Sequence, residues 1–484
     1  MLFNSNAFYV FLPIVFAVYW IIPAKYRWGV LFISSYYFYM SWNVKYVTLI
    51  LTTTLVSYGA ALLMERTESR TKRKLCMAAA LLISFGLLFF FKYFNFLSKS
   101  VTDLLQKLAI PVHETTLNLM LPVGISFYTF QTLSYVIDVY KGETKACRHL
   151  GKYATFIAFF PQLVAGPIER TRNLLPQIEG EHTFHTEKGI HGAKMIAWGF
   201  FKKIAIADTI AVYVDIVYNA AENFVGFPLL LATVLFTFQI YCDFSGYSDI
   251  AVGTAELLDI DLMTNFRSPY FSASIQEFWS RWHISLSTWF RDYVYIPLGG
   301  NRKGKWRTRI NLLITFLVSG LWHGANWTYV LWGGIHGLGQ ILEREWNRIF
   351  HVDTKKKTWL RIGLTFLFVS ITWIFFRANT ISDAGYVLTH MFDGIMNPAA
   401  YLEDGYHAFQ GAGMTQASGV MTLCISLACI LILLIHDYLE LTKSIWERLG
   451  ALKKPLRYAL YFLLLFAILY SRQLGEYEFV YFQF

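Results

Sequence analysis

Charged side chains are scarce in this chain: Asp, Glu, Lys and Arg make up 15% of its 484 residues, where a soluble domain carries about 25%. Hydrophobic residues fill 55% of it, the mean hydropathy is +0.41, and no polar block large enough for a soluble domain interrupts the apolar runs between residues 7 and 471. The shortage of charge excludes an ordinary soluble protein and predicts one membrane domain over residues 1–484. Cysteine is also sparse. Cys76, Cys147, Cys242, Cys424 and Cys429 form no CxxC pair and lie mostly in or beside apolar runs, which excludes a disulfide framework and a cysteine metal site. Internal repeats are lacking too, which weighs against a transporter, since many transporters are built from them. The N-terminal stretch has no Lys or Arg before Lys25 and no A-x-A cleavage site. A signal peptide needs a basic start, so this segment is expected to stay as the first helix.

What remains is a series of apolar runs. A helix crossing about 30 Å of hydrocarbon needs about 20 largely apolar residues. Runs near that length lie at 7–22, 28–44, 46–64, 75–96, 118–138, 192–215, 227–250, 310–326, 327–343, 359–376, 418–437 and 455–471. They predict an all-α polytopic integral membrane protein with 11 or 12 spans. The net charge of +10 would suggest a nucleic-acid partner in a soluble protein. Here the basic residues sit in short loops, so topology explains them, and the lipid bilayer is the expected surroundings. Basic clusters occupy 65–74, 141–152, 301–309, 351–361 and 443–457, whereas residues 378–417 hold no Lys or Arg but include Asp383, Asp393, Glu403 and Asp404. The positive-inside rule then predicts cytoplasmic basic loops and an outer loop at 378–417. Alternating the spans puts both termini outside.

Two regions do not fit simple spans. FIAFFPQLVAGPIER (156–170) is broken by Pro161, Gly166 and Pro167, which predicts a re-entrant segment, tolerated at membrane depth only inside protein or beside a wet cavity. The stretch 268–300 mixes Trp279, Trp282, Trp289 and Phe290 with Arg281, Arg291 and Asp292. That pattern predicts a helix lying in the interface or dipping into the protein.

Polar groups inside apolar runs are costly, and each is a candidate for function. His323, in LVSGLWHGANWTY (317–329), is the sharpest. Counted from Asn311 it lies about twelve residues along its span, roughly 18 Å at 1.5 Å per residue, near mid-membrane. A neutral imidazole there can take a proton from a hydroxyl as a general base. Trp322 and Asn326 flank it, and the Asn326 amide is a candidate donor to a developing oxyanion. The competing reading is a core histidine bonded to a carbonyl. His283, in FWSRWHIS, is a second candidate polar centre or else an interfacial histidine. His336, among glycines in WGGIHGLG, reads as packing. TFQIYCDFSGYSDIAVG (237–253) places Gln239, Tyr241 and Asp243 within one span, where they either line a wet cavity that binds substrate or bond helix to helix. Lys202 and Lys203 are expected to snorkel. His182, His185 and His191 show no metal-ligand spacing, and no metal is expected.

The stretches FWSRWHISLSTWFRDYVYIPLGGNRKG and LVSGLWHGANWTYVLWGGIHG strongly resemble the membrane-bound O-acyltransferases, and within them the branch of the bacterial alginate O-acetyltransferases. LPVGISFYTFQTLSYVIDVY, FFPQLVAGPIER, FQIYCDFSGYSDIAVG and the terminal FVYFQF match the same branch, so the resemblance covers nearly the whole chain. It implies a helical bundle around a tunnel, with re-entrant or interfacial segments, in the cytoplasmic (inner) membrane. It implies acyl transfer to a hydroxyl on an extracytoplasmic polysaccharide, with the donor, acetyl-coenzyme A, reaching the enzyme from the cytoplasm and no cofactor bound. It assigns catalysis to His323 and a second polar role to His283. It also implies a separate extracytoplasmic hydrolase-like partner that finishes transfer to the polymer. The alternatives are D-alanyl transfer to teichoic acid from a carrier protein, a transporter or channel with His323 in its polar pathway, and a non-catalytic scaffold for polymer secretion.

Overall fold

The computed structural model describes residues 1–353, 358–399, 401–402, 416–472 and 479. Among these the regular structure is helical, with no β-strand. Six helices are long and apolar enough to cross a membrane: Val44–Arg66, Arg70–Lys107, Phe227–Leu257, Trp359–Arg377, Gly419–Glu440 and Lys454–Ser471. The chain is an all-α, multi-pass membrane protein. Of the expected outer loop, Ile381–His390 is helical, while Glu403 and Asp404 lie outside the described residues, as do 354–357 of the basic stretch 351–361 and all of FVYFQF but Phe479.

Several spans start or stop where local chemistry dictates. The run expected at 118–138 becomes helical only from Ile125. Pro122 has no N–H to give a helical bond, and Gly124 stands at φ +76, a left-handed turn that suits glycine. The run at 192–215 is one continuous helical stretch, Thr186–Phe200 and Thr209–Tyr218 joined by a π-helical insert at Phe201–Asp208.

The chain forms two compact units. The first comprises Met1–Ile196 and Ser248–Met263. At its centre the broken segment folds as the short helices Leu150–Ala158 and Phe160–Leu163 followed by extended chain, and every residue from Tyr153 to Thr171 is buried. Side chains bond the backbone groups that the breaks expose. Gln131 Nε2 donates to the Phe156 carbonyl at 2.8 Å, and the Phe160 N–H donates to Ser35 Oγ at 3.1 Å. Glu169 accepts from the Met263 N–H and from Asn173. This is how irregular backbone persists in a membrane protein, covered by protein and met by side-chain hydrogen bonds at its breaks.

The second unit comprises Ala197–Tyr247 and Thr264–Phe484. Its central feature is a hairpin of Gly304–His323 and Trp327–Ile349, the two helices drawn together through glycine. A methyl group on Gly320 would overlap the Tyr329 carbonyl oxygen, and one on Gly333 would overlap that of Phe316. Small residues let membrane helices approach this closely. Gly333→Ala is therefore expected to cost about 1–3 kcal/mol through overpacking, seen as a lower unfolding midpoint of the detergent-solubilised protein. An unchanged midpoint would contradict this close approach.

Against the hairpin packs a tryptophan cluster. Trp332 stacks on Trp373 with ring centroids 5.6 Å apart, and Trp282 meets Trp373 at 5.1 Å. Trp282 comes from the broken 268–300 stretch, which divides into a turn at Pro269–Phe271, helices Ile275–Arg281 and Ile284–Phe290, and a π-helical turn at Arg291–Tyr295. Trp279, Trp282, Trp289 and Phe290 are all buried. Of the two expectations for this stretch, the segment that dips into the protein is the one observed.

Candidate functional site

His323 is the last residue of its helix, and Gly324 follows with extended backbone at φ −158. The run expected to continue to residue 326 breaks here, so the imidazole stands at a helix terminus, where the backbone no longer shields it as it does in mid-helix. The side chain is 4% exposed. Trp322, Trp332 and Phe376 surround the ring edge-on, at 5.0, 5.1 and 5.4 Å.

His283 lies on the other side of the gap, its ring centroid 6.5 Å from that of His323. The two imidazoles are too far apart to bond each other directly, yet they share one aromatic cage: Trp322 contacts both rings, at 6.3 Å from His283. His283 is fully buried and sits at φ +44, ψ 55, just before the helix Ile284–Phe290. Its Nδ1 is 3.1 Å from Asn265 Oδ1. Sequence reasoning overlooked Asn265, which occupies a loop with no motif of its own and meets His283 only because the chain turns back at this left-handed residue.

Other candidates have different surroundings. His336 is bonded at both ring nitrogens, by Trp279 Nε1 to Nδ1 at 3.2 Å and by Thr372 Oγ1 at Nε2 at 2.9 Å, the packing role expected of it. Asn326 is engaged in the backbone at the start of its helix. Oδ1 accepts the Thr328 N–H at 3.1 Å, and Nδ2 donates to the Asn379 carbonyl at 2.9 Å. These bonds make it a helix cap. Tyr241 donates to Asp437 Oδ2 at 2.6 Å, Gln239 is buried, and Asp243 is 2.6 Å from Lys203 Nζ.

The lysines correct an expectation. Lys203 does not snorkel: it is 2% exposed and sits between Asp208, at 2.7 Å, and Asp243. Lys202 is buried and donates to Ser245 Oγ at 2.9 Å. The π-helical insert explains the first pair. Residues five apart point to different faces of an α-helix, but the wider turn, with bonds spanning five residues, stacks Asp208 over Lys203. A carboxylate thus held inside gives the ammonium a partner that the interface would otherwise have to supply.

Beside the helix that follows His283 opens a cavity of about 520 Å³. Its polar lining includes Ser287, Thr288, Arg291, Tyr295, Gln340 and Arg344, and its apolar lining includes Trp279, Phe290 and Phe316. A second cavity of about 360 Å³ shares Gln276, Gln340 and Arg344 and adds Glu343, Asn347 and Arg348. Between them they are lined by cationic and amide side chains and by aromatic ones. The basic stretch 301–309 contributes an ion pair nearby, Arg309 to Glu345 at 2.6 Å.

Comparison with known proteins gives this arrangement its class. Residues 148–381 match the membrane-bound O-acyltransferase family, a stretch that includes both facing histidines and Asn265. The chain is 41% identical over 396 residues to a Pseudomonas syringae pv. tomato protein named probable alginate O-acetylase, covering 81% of this chain and 75% of that one. It is 35% identical over 429 residues to a peptidoglycan O-acetyltransferase of Helicobacter pylori, covering 81% and 80%. Similarity to a teichoic acid D-alanyltransferase of Bacillus subtilis is 30% over 284 residues and covers 55% of this chain. The chain belongs to the membrane-bound O-acyltransferase family, and it is an O-acyltransferase.

Proposed function

We propose that this enzyme moves acetyl groups from cytoplasmic acetyl-coenzyme A across the inner membrane for O-acetylation of an extracytoplasmic polysaccharide, with His323 as general base and His283 as its catalytic partner. The observation that carries this reading is the pair of buried imidazoles facing one another at 6.5 Å in one aromatic cage. In this reading the reacting hydroxyl lies between the two rings. A hydroxyl held there gives its proton to His323 as its oxygen attacks the acetyl carbonyl. The new C–O bond forms, the C–S bond of the thioester breaks, and the proton passes to the departing thiolate. Trp322 packs against both rings.

Two further considerations support the donor and the acceptor. The cavity lined by Arg291 and Arg344 as well as by Trp279, Phe290 and Phe316 suits a molecule that carries both phosphates and an acyl thioester. The positive-inside rule puts the neighbouring basic stretch 301–309 in the cytoplasm. Relatives that match over 81% of the chain are named for O-acetylation of alginate and of peptidoglycan, whereas the D-alanyltransferase match is shorter. The hydroxyl that attacks belongs to a separate extracytoplasmic hydrolase-like protein, which hands the acetyl group to the polymer, or to the polymer itself.

The reading predicts that mild alkali releases acetate from the cell's exported polysaccharide, and that the acetate disappears when this gene is deleted. Mass analysis of the released acyl groups checks it. D-alanine in that fraction, lost with the gene, would overturn the acetyl assignment in favour of alanyl transfer.

A further inference from the structure

The helix Ile284–Phe290 begins without help from its own leading residue, because His283 makes no side-chain capping bond. Asn265 supplies the missing acceptors. Its main-chain oxygen takes the Ile284 N–H at 2.9 Å, and its Oδ1 takes the Ser285 N–H at 3.2 Å and the Ser285 hydroxyl at 2.9 Å. The same Oδ1 lies 3.1 Å from His283 Nδ1. His283 holds left-handed backbone where its ring meets this oxygen.

These contacts fix a proton. A main-chain N–H can only donate, so the carboxamide atom that meets Ser285 is the oxygen, and the two ends of the amide are not interchangeable here. A carboxamide oxygen can only accept, so the hydrogen in the Asn265–His283 bond belongs to Nδ1. A neutral imidazole protonated at Nδ1 carries its lone pair at Nε2.

We propose that Asn265 is a positioning residue for the acyl-transfer reaction: it holds His283 in the Nδ1–H tautomer and so makes Nε2 the nitrogen that accepts a hydrogen bond or proton from the reacting groups. The inference rests on the role proposed above for His283. The ring's neighbours are Phe244, Phe266, Trp322 and His323, of which His323 is titratable. The other role open to Asn265 is to cap the helix and nothing more, and the test must separate the two.

Asn265→Ala is expected to lower kcat about 100-fold, within the range for a proton-transfer group, while KM changes by less than about twofold. In that background, Nδ1-methylhistidine incorporated at position 283 has its lone pair confined to Nε2, and its methyl group fills the space that the amide leaves. It is expected to restore kcat to within about tenfold of wild type, and the Nε2-methyl isomer is not. Asn265→Ala with near-normal kcat, or with a loss that Nδ1-methylhistidine does not relieve, overturns the proposal. If Asn265→Ala does not accumulate in membranes, Asn265→Asp serves instead, since it keeps an acceptor for Ser285. Its carboxylate beside Nδ1–H is expected to move the acid limb of the rate profile to higher pH by about one unit, and an unmoved limb overturns the proposal. Full activity in His283→Ala would instead mark failure of the functional reading itself.

Discussion

Replacing His323 by alanine is expected to lower acyl transfer about a thousandfold, the middle of the range for loss of a general base, with little change in the amount of protein in the membrane. The loss should be in kcat, since in the proposed reaction the imidazole acts on the attacking hydroxyl, while the cavity proposed for the donor has its lining elsewhere, around Arg291 and Arg344. Because His323 also packs against Trp332 and Phe376, alanine leaves a void as well as removing a base. His323→Gln separates the two effects: it fills most of the volume, keeps a polar tip and has no basic nitrogen. It is expected to lose as much activity as alanine while unfolding at a temperature closer to wild type. Activity retained in the glutamine variant would show that the ring serves packing alone, the reading on which His323 is simply a core histidine.

Asp243→Ala is expected to act by a different route. Lys203 lies buried between Asp208 and Asp243, and Asp243→Ala removes one of its two charge-assisted bonds, worth about 1.5–3 kcal/mol, while Asp208 keeps the ammonium paired. The variant should therefore accumulate poorly and unfold early in detergent, whereas Asp243→Asn, which still accepts a hydrogen bond, should lose less. Replacing the whole network, in Lys203→Met with Asp208→Leu and Asp243→Leu, should recover part of the loss, since a matched apolar set carries no stranded charge. Equal unfolding midpoints for wild type and Asp243→Ala would contradict this account of the network. The expectation that Asp243 and Tyr241 bind substrate makes another prediction: normal stability with a raised KM.

How much of this was legible in the sequence depends on the range of the interactions concerned. His323 stood out because an imidazole in an apolar run is costly wherever it lies, and the apolar lengths located the helices. The breaks at 156–170 followed from Pro161, Gly166 and Pro167, whose effect is local. What the sequence hid came from contacts between distant residues. Lys203 read as a snorkelling lysine because Asp243 is forty positions away and because nothing local announces the π-helical insert that stacks Asp208 on it. The capping role of Asn326 was hidden as well, because it depends on the chain breaking at Gly324 so that a new helix starts at Trp327. Asn265 gave no signal, since its importance lies in the left-handed turn at His283 that brings the ring to it.

The most direct test of the central claim follows a label across the membrane. Sealed right-side-out vesicles containing the enzyme are loaded with radiolabelled acetyl-coenzyme A, and the acceptor polysaccharide is supplied outside with the extracytoplasmic fraction of the same cells. Wild-type vesicles are expected to place label in ester linkage on the outside polymer, and vesicles carrying His323→Gln at equal protein level are expected to place almost none. Equal labelling by the two would contradict the assignment of this chemistry to His323.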